Sequence, residues 1–148
     1  MIRTLLAAAT VAAMAGPAFA DGLAPGQSGT GTLAKTDAKL DGSYYVCVPL
    51  LAQAGQTVTV TMTSTDFDAL LYVGHGSDCA TMSVDERNDD APGMGENSQV
   101  TVTLESGRTY WIRPTSWSDD ETGTYRLSAS VAGGASASGG PANRFQRD

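Results

Sequence analysis

The sequence predicts an all-β fold, a single sandwich of seven or eight antiparallel strands. Three observations predict it. Residues 56–64 read QTVTVTMTS and residues 98–104 read SQVTVTL, and both alternate apolar and polar side chains with a period of two. Turn signals recur between such segments, at Asp41-Gly42, Ala54-Gly55, Ser106-Gly107 and Thr122-Gly123. Beyond the first twenty residues no stretch carries a helical apolar stripe.

The elements follow in order. Residues 29–34 form a weak first strand. Residues 43–50 alternate Tyr44, Val46 and Val48 against Tyr45 and Cys47. In 56–64, Val58, Val60 and Met62 take one face and threonines the other, the pattern of a strand with one buried and one wet side. Residues 69–73 are a short apolar run, and Gly74-His75-Gly76 reads as the turn after it. Residues 83–97 read as a long loop. Residues 98–104 turn Val100, Val102 and Leu104 inward. In 109–115, Tyr110 and Ile112 face the core, so Trp111 and Arg113 point outward, with Trp117 in the loop that follows. Residues 123–131 close the set, with Tyr125, Leu127, Ala129 and Val131 on one side.

The ends differ from this middle. Residues 1–20 read as a secretory signal: Arg3 is the positive region, 5–15 the apolar run, and Ala18-Phe19-Ala20 the cleavage site. That run is too short to span a bilayer, so an exported chain, periplasmic or extracellular, with no membrane span after cleavage is expected. Residues 21–28 are a flexible Gly/Pro-rich segment, the sandwich occupies 29–132, and 133–148 is a Gly/Ser/Ala-rich tail expected to be disordered. The 148 residues carry 9 Lys and Arg against 16 Asp and Glu, a net charge of −7. An acidic surface repels phosphate backbones, which argues against nucleic acid as a partner.

The inventory of reactive groups is small. Export places Cys47 and Cys79 in an oxidising compartment, and two cysteines allow one pairing, Cys47–Cys79. A Ser-His-acid triad must use His75, the single histidine, and no nucleophile elbow lies near it. A solvent-exposed turn histidine is the simpler reading, and the chain is not expected to be an enzyme. Asp66 and Asp68 stand at i and i+2 and leave an extended chain on one side; Asn88, Asp89 and Asp90 add three oxygen-bearing side chains. Such oxygens suit calcium, although the spacing is not that of an EF-hand. Equally, Asp66 and Asn88 can cap turns through nearby backbone N–H groups.

Several segments resemble the bacterial pre-peptidase C-terminal domain. Asp66-Phe67-Asp68-Ala69-Leu70-Leu71-Tyr72 looks like that family's aspartate-x-aspartate strand entry, and Asn88-Asp89-Asp90 looks like its asparagine-aspartate-aspartate loop. Asn97-Ser98 then opens a strand, as in the family. Residues Gly107 to Ile112 resemble its glycine-x-x-tyrosine strand, and Gly123 to Leu127 its closing glycine-x-tyrosine-x-leucine strand. The resemblance spans about residues 29–132. It implies a jelly-roll-like sandwich and a non-catalytic appendage of secreted hydrolases, of a kind that in some members binds polysaccharide, collagen or calcium.

The aromatic residues supply the candidate binding face. An outward Trp111 beside Arg113, with Trp117 one loop away, is a platform for a sugar or a protein. The alternative is that both rings cover an edge of the core. The expected function is therefore an exported, non-catalytic binding or accessory module. Its partner is a polysaccharide or a protein surface, with calcium as a stabilising ion. The alternative is a small periplasmic inhibitor that docks on a secreted or envelope enzyme.

Overall fold

The computed structural model describes residues 19–131. Most of the expected signal segment and the whole of the expected tail lie outside the described residues. Ten strands follow one another with no helix between them: β1 (Ser28–Leu33), β2 (Lys39–Leu40), β3 (Ser43–Tyr44), β4 (Val48–Pro49), β5 (Thr57–Thr63), β6 (Ala69–His75), β7 (Ser83–Asn88), β8 (Ser98–Thr103), β9 (Tyr110–Ser116) and β10 (Gly123–Val131). One sheet has the order β1-β10-β5-β8 and the other β4-β9-β6-β7, while β2 and β3 make a separate short hairpin.

The pairing explains the architecture. β1 pairs with β10, β4 with β9, β5 with β8 and β6 with β7, all antiparallel. First pairs with last, and each later strand pairs with one correspondingly nearer the middle. That nesting is a long hairpin rolled up on itself, the jelly roll, in which two sheets bury one core between them. The expected sandwich of seven or eight strands is present with eight, four in each sheet, and the β2–β3 hairpin is an addition to it.

The alternation read in the sequence sets the faces. Val58, Val60 and Met62 of β5, with Val100 and Val102 of β8, are buried against Leu71, Val73 and Ile112 of the second sheet. On the outer side the threonines meet across the strands, Thr57 with Thr103 at 2.8 Å and Thr59 with Thr101 at 2.9 Å between hydroxyl oxygens. Such cross-strand hydroxyl pairs stabilise a wet face without apolar burial.

Two expectations are corrected. Residues 83–97 are not one loop, because 83–88 form edge strand β7, bonded to β6 with a register shift between Val73 and Gly74. Every residue of β7 except Asn88 is exposed, so no burial alternates along it. Residues 43–50 are not one continuous strand. Tyr45 bridges Thr115 and Val48 pairs with Ile112, so the segment follows β9 in a single register. That register sets Val46 opposite Pro114, whose imide nitrogen has no hydrogen to donate, and the Val46 N–H reaches the Pro114 carbonyl only at 3.4 Å. The ladder breaks there and resumes as β4.

Candidate functional site

The second sheet turns Tyr72, Arg87 and Arg113 to its outer face. Tyr72 of β6 stands in register with Arg87 of β7 on one side and Arg113 of β9 on the other. Directly paired residues share a face, so the three side chains form a row across three strands. Both guanidinium groups lie against the phenol ring, Arg113 at 4.2 Å and Arg87 at 5.6 Å from its centroid. Cation–π attraction of this kind orients a guanidinium plane while leaving N–H groups available.

A disulfide closes the end of the row. The register of residues 45–49 along β9 places Cys47 opposite Arg113, and Cys47 is bonded to Cys79. Arg113 Nη1 donates to the Cys79 carbonyl at 2.8 Å. The segment around Cys79 is thereby pinned over the sheet. This corrects the expectation for Arg113: alternation does send it away from the core, but it is only 7% exposed because the stapled segment covers it. Trp111 is half-buried, and its indole N–H donates to the Gly76 carbonyl at 2.9 Å. Trp117 alone among the three stands free, 53% exposed.

A cleft of about 260 Å³ opens on this face. Tyr72, Arg87, Arg113 and Trp117 contribute from the sheet and its β9 end, and Asp41, Ser43 and Tyr45 from the hairpin side. Arg87 escaped the sequence reading because β7 itself did, and Tyr72 because the apolar run 69–73 carries no alternation to mark its outward face. Asp41 adopts a left-handed φ of 53°, which a short polar side chain tolerates at the tip of a tight turn.

The acidic residues do other work. Asp66 Oδ2 accepts the Thr124 N–H at 2.7 Å and so fastens the start of β10. Asn88 Oδ1 accepts the Gln99 N–H at 3.4 Å. Both therefore hold the backbone of strands in the first sheet rather than of local turns. Asp68 has one carboxylate oxygen buried with no partner among the described residues. Its carboxyl is raised from its ordinary value, first by burial and then by the charges of Asp90, Glu96 and Asp89. Among the described residues no group of three or more His, Cys, Asp or Glu side chains is placed to hold a metal ion.

His75 is the last residue of β6 rather than part of a turn, and it is half-buried. Its Nδ1 lies 2.8 Å from Asp85 Oδ2. A histidine oriented by a carboxylate still needs a nucleophile on its other nitrogen to make a triad. No serine or cysteine side chain bonds the ring among the described residues.

Fold and cleft together define a jelly-roll module with one aromatic and guanidinium-lined recess on a sheet face. No protein-family model matches the chain, and no curated protein matches it. Among solved structures, the fold is similar to that of PliG from Aeromonas hydrophila, a periplasmic lysozyme inhibitor of g-type lysozyme. The TM-score is 0.50 at 21% identity, over 71% of this chain and 84% of that one. At that identity the likeness is one of fold.

Proposed function

We propose that this protein is a small exported, non-catalytic inhibitor that docks on an enzyme, with a g-type lysozyme as the enzyme to test. The observation that carries the reading is the composition of the cleft and its rim: Trp117, Tyr72 and two arginines. Trp, Tyr and Arg dominate the energetic centres of protein interfaces. They lie here beside β7, whose outer residues face solvent. The likeness of fold to PliG supports the choice of enzyme, and the disulfide fits an oxidising compartment.

The test is the clearing of a peptidoglycan suspension by g-type lysozyme with rising amounts of the protein. Lysis is expected to stop near equimolar ratio, and Arg87→Ala and Trp117→Ala to raise the amount needed. Undiminished lysis at large molar excess, with no complex on size-exclusion chromatography, overturns the reading. A second reading, binding to a polysaccharide, has one observation in its favour, the exposed Trp117 ring. Retention on insoluble glycan that is lost in Trp117→Ala, without lysozyme inhibition, selects it.

A further inference from the structure

We propose that the Arg87–Tyr72–Arg113 cleft is a receptor for the carboxylate of an acidic side chain, Asp or Glu, carried by a protein partner. This assignment rests on the inhibitor reading above and names the chemistry that the docking face recognises.

Charge complementarity is the first ground. Among the described residues the ion pairs are Lys39–Asp120, His75–Asp85 and Arg108–Glu105, and neither Arg87 nor Arg113 takes part in one. In a chain with 16 acidic residues against 9 basic ones, two guanidinium groups converge on one ring without a carboxylate. Asp41 also lines the cleft, yet it reaches neither group within ion-pair distance.

Preorganisation is the second. Arg113 is held by the Cys79 carbonyl and by Tyr72, and that carbonyl bond occupies a single nitrogen. A guanidinium fixed in this way loses little further freedom when a carboxylate arrives, and its planar fork suits two parallel N–H···O bonds. Arg87, exposed on β7, approaches the same ring from the neighbouring strand.

Size is the third. At about 260 Å³ the cleft falls below the usual range of small-molecule pockets, so it takes one side-chain group rather than several sugar units. Trp117 on its rim offers apolar area to the stem or to the surface around it.

The test is an NMR titration of the full chain with N-acetyl-glutamyl-amide, following the arginine Nε–H signals. The controls are the neutral N-acetyl-glutaminyl-amide, sodium chloride at matched ionic strength, and galacturonate. Saturable shifts of Arg87 and Arg113 with the glutamyl probe, and none with the glutaminyl one, are expected. Arg87→Gln is expected to weaken the probe by roughly tenfold, about what one lost charged hydrogen bond is worth. Arg113→Lys keeps the charge but loses the fork, and is expected to weaken it similarly. Should Arg113→Lys fail to fold, Arg87→Gln decides alone, because its side chain is exposed. Equal shifts with the neutral probe or with chloride overturn the proposal. Saturation by galacturonate but not by the glutamyl probe overturns it in favour of an acidic sugar. Lysozyme inhibition without probe binding refutes the carboxylate receptor alone. Probe binding without lysozyme inhibition keeps the receptor and refutes that enzyme as the partner.

Discussion

Arg113 donates from Nη1 to the carbonyl of Cys79 at 2.8 Å, and Cys79 is the disulfide partner of Cys47, the residue opposite Arg113 in the strand register. One covalent bridge thus fixes the acceptor of the guanidinium that lies on Tyr72. An outer face that alternation alone would leave wet becomes a lined cleft.

Removing the bridge is therefore expected to act twice. Cys47 and Cys79 are 32 residues apart, and opening a loop of that size costs about 3–4 kcal/mol in the chain-entropy account. Cys47→Ala with Cys79→Ala is expected to lower the urea midpoint accordingly. Affinity for the proposed partner is expected to fall as well, measured under conditions where the variant is still folded, because the Cys79 carbonyl is no longer anchored. Unchanged affinity in the folded variant would show that Tyr72 alone positions Arg113.

Gly74 lies on β6 two residues beyond Tyr72, where β6 meets the start of β7. A Cβ there would collide with the backbone carbonyl of Ser83, next to the register shift between β6 and β7. A backbone oxygen in a ladder has no room to retreat, so Gly74→Ala is expected to cost roughly 1–3 kcal/mol, as overpacking does. The amides of residues 83–88 are expected to lose hydrogen-exchange protection before those of β5. A variant as stable as the parent, with β7 still protected, would contradict this geometry.

The two parts of the site differed in how far the sequence revealed them. Strands β5 and β8 were legible because each buries one face, and burial writes a period of two into Val58, Val60, Val100 and Val102. The outward turn of Trp111 and Arg113 was legible for the same reason. Their covering was not, because it depends on Cys47 standing opposite Arg113, a matter of register between segments some 66 positions apart. β7 was illegible since neither of its faces is buried; hydrogen bonds to β6 hold it, and these leave no mark on composition. Arg87 was lost with it. Asp66 and Asn88 read as possible ligands, and only the fold shows their oxygens bonded to Thr124 and Gln99 amides.

Asp68 gives a pH prediction with a definite sign. Its carboxyl is raised in the folded state by burial and by the nearby Asp90, Glu96 and Asp89. An acid whose folded value exceeds its unfolded one favours folding while protonated, and that contribution is lost as pH rises through the folded value. At neutral pH the ionised group opposes folding. Asp68→Asn is expected to raise the Tm at pH 7 by roughly 1–3 °C, with the gain shrinking as pH falls toward the ordinary carboxylate value of 3.8. The same melts in millimolar calcium test the ion expected from the sequence. A calcium-dependent rise in the parent that disappears in Asp68→Asn would place an ion at this corner; a flat response with and without EDTA would remove it.

Trp111 and Trp117 are six residues apart and are expected to respond in opposite ways to truncation. Trp111 is half-buried, and its indole N–H satisfies the Gly76 carbonyl. Truncation to Ala removes that bond and the ring's packing, so a loss of roughly 2–3 kcal/mol is expected, below the full cost of a core Trp. Trp117 is 53% exposed, and its backbone N–H is tied to the Asp68 carbonyl at 2.9 Å, a bond that any side chain leaves intact. Trp117→Ala is therefore expected to keep its melting temperature within a degree or so, as surface changes usually do. Its affinity for the proposed partner is expected to drop by tenfold or more, since a Trp on the rim of a cleft is a common energetic centre. Comparing melting and binding in the same two variants separates the roles. Destabilisation in Trp117→Ala would make that ring a structural cover, and full binding in a stable Trp117→Ala would move the docking face away from the cleft.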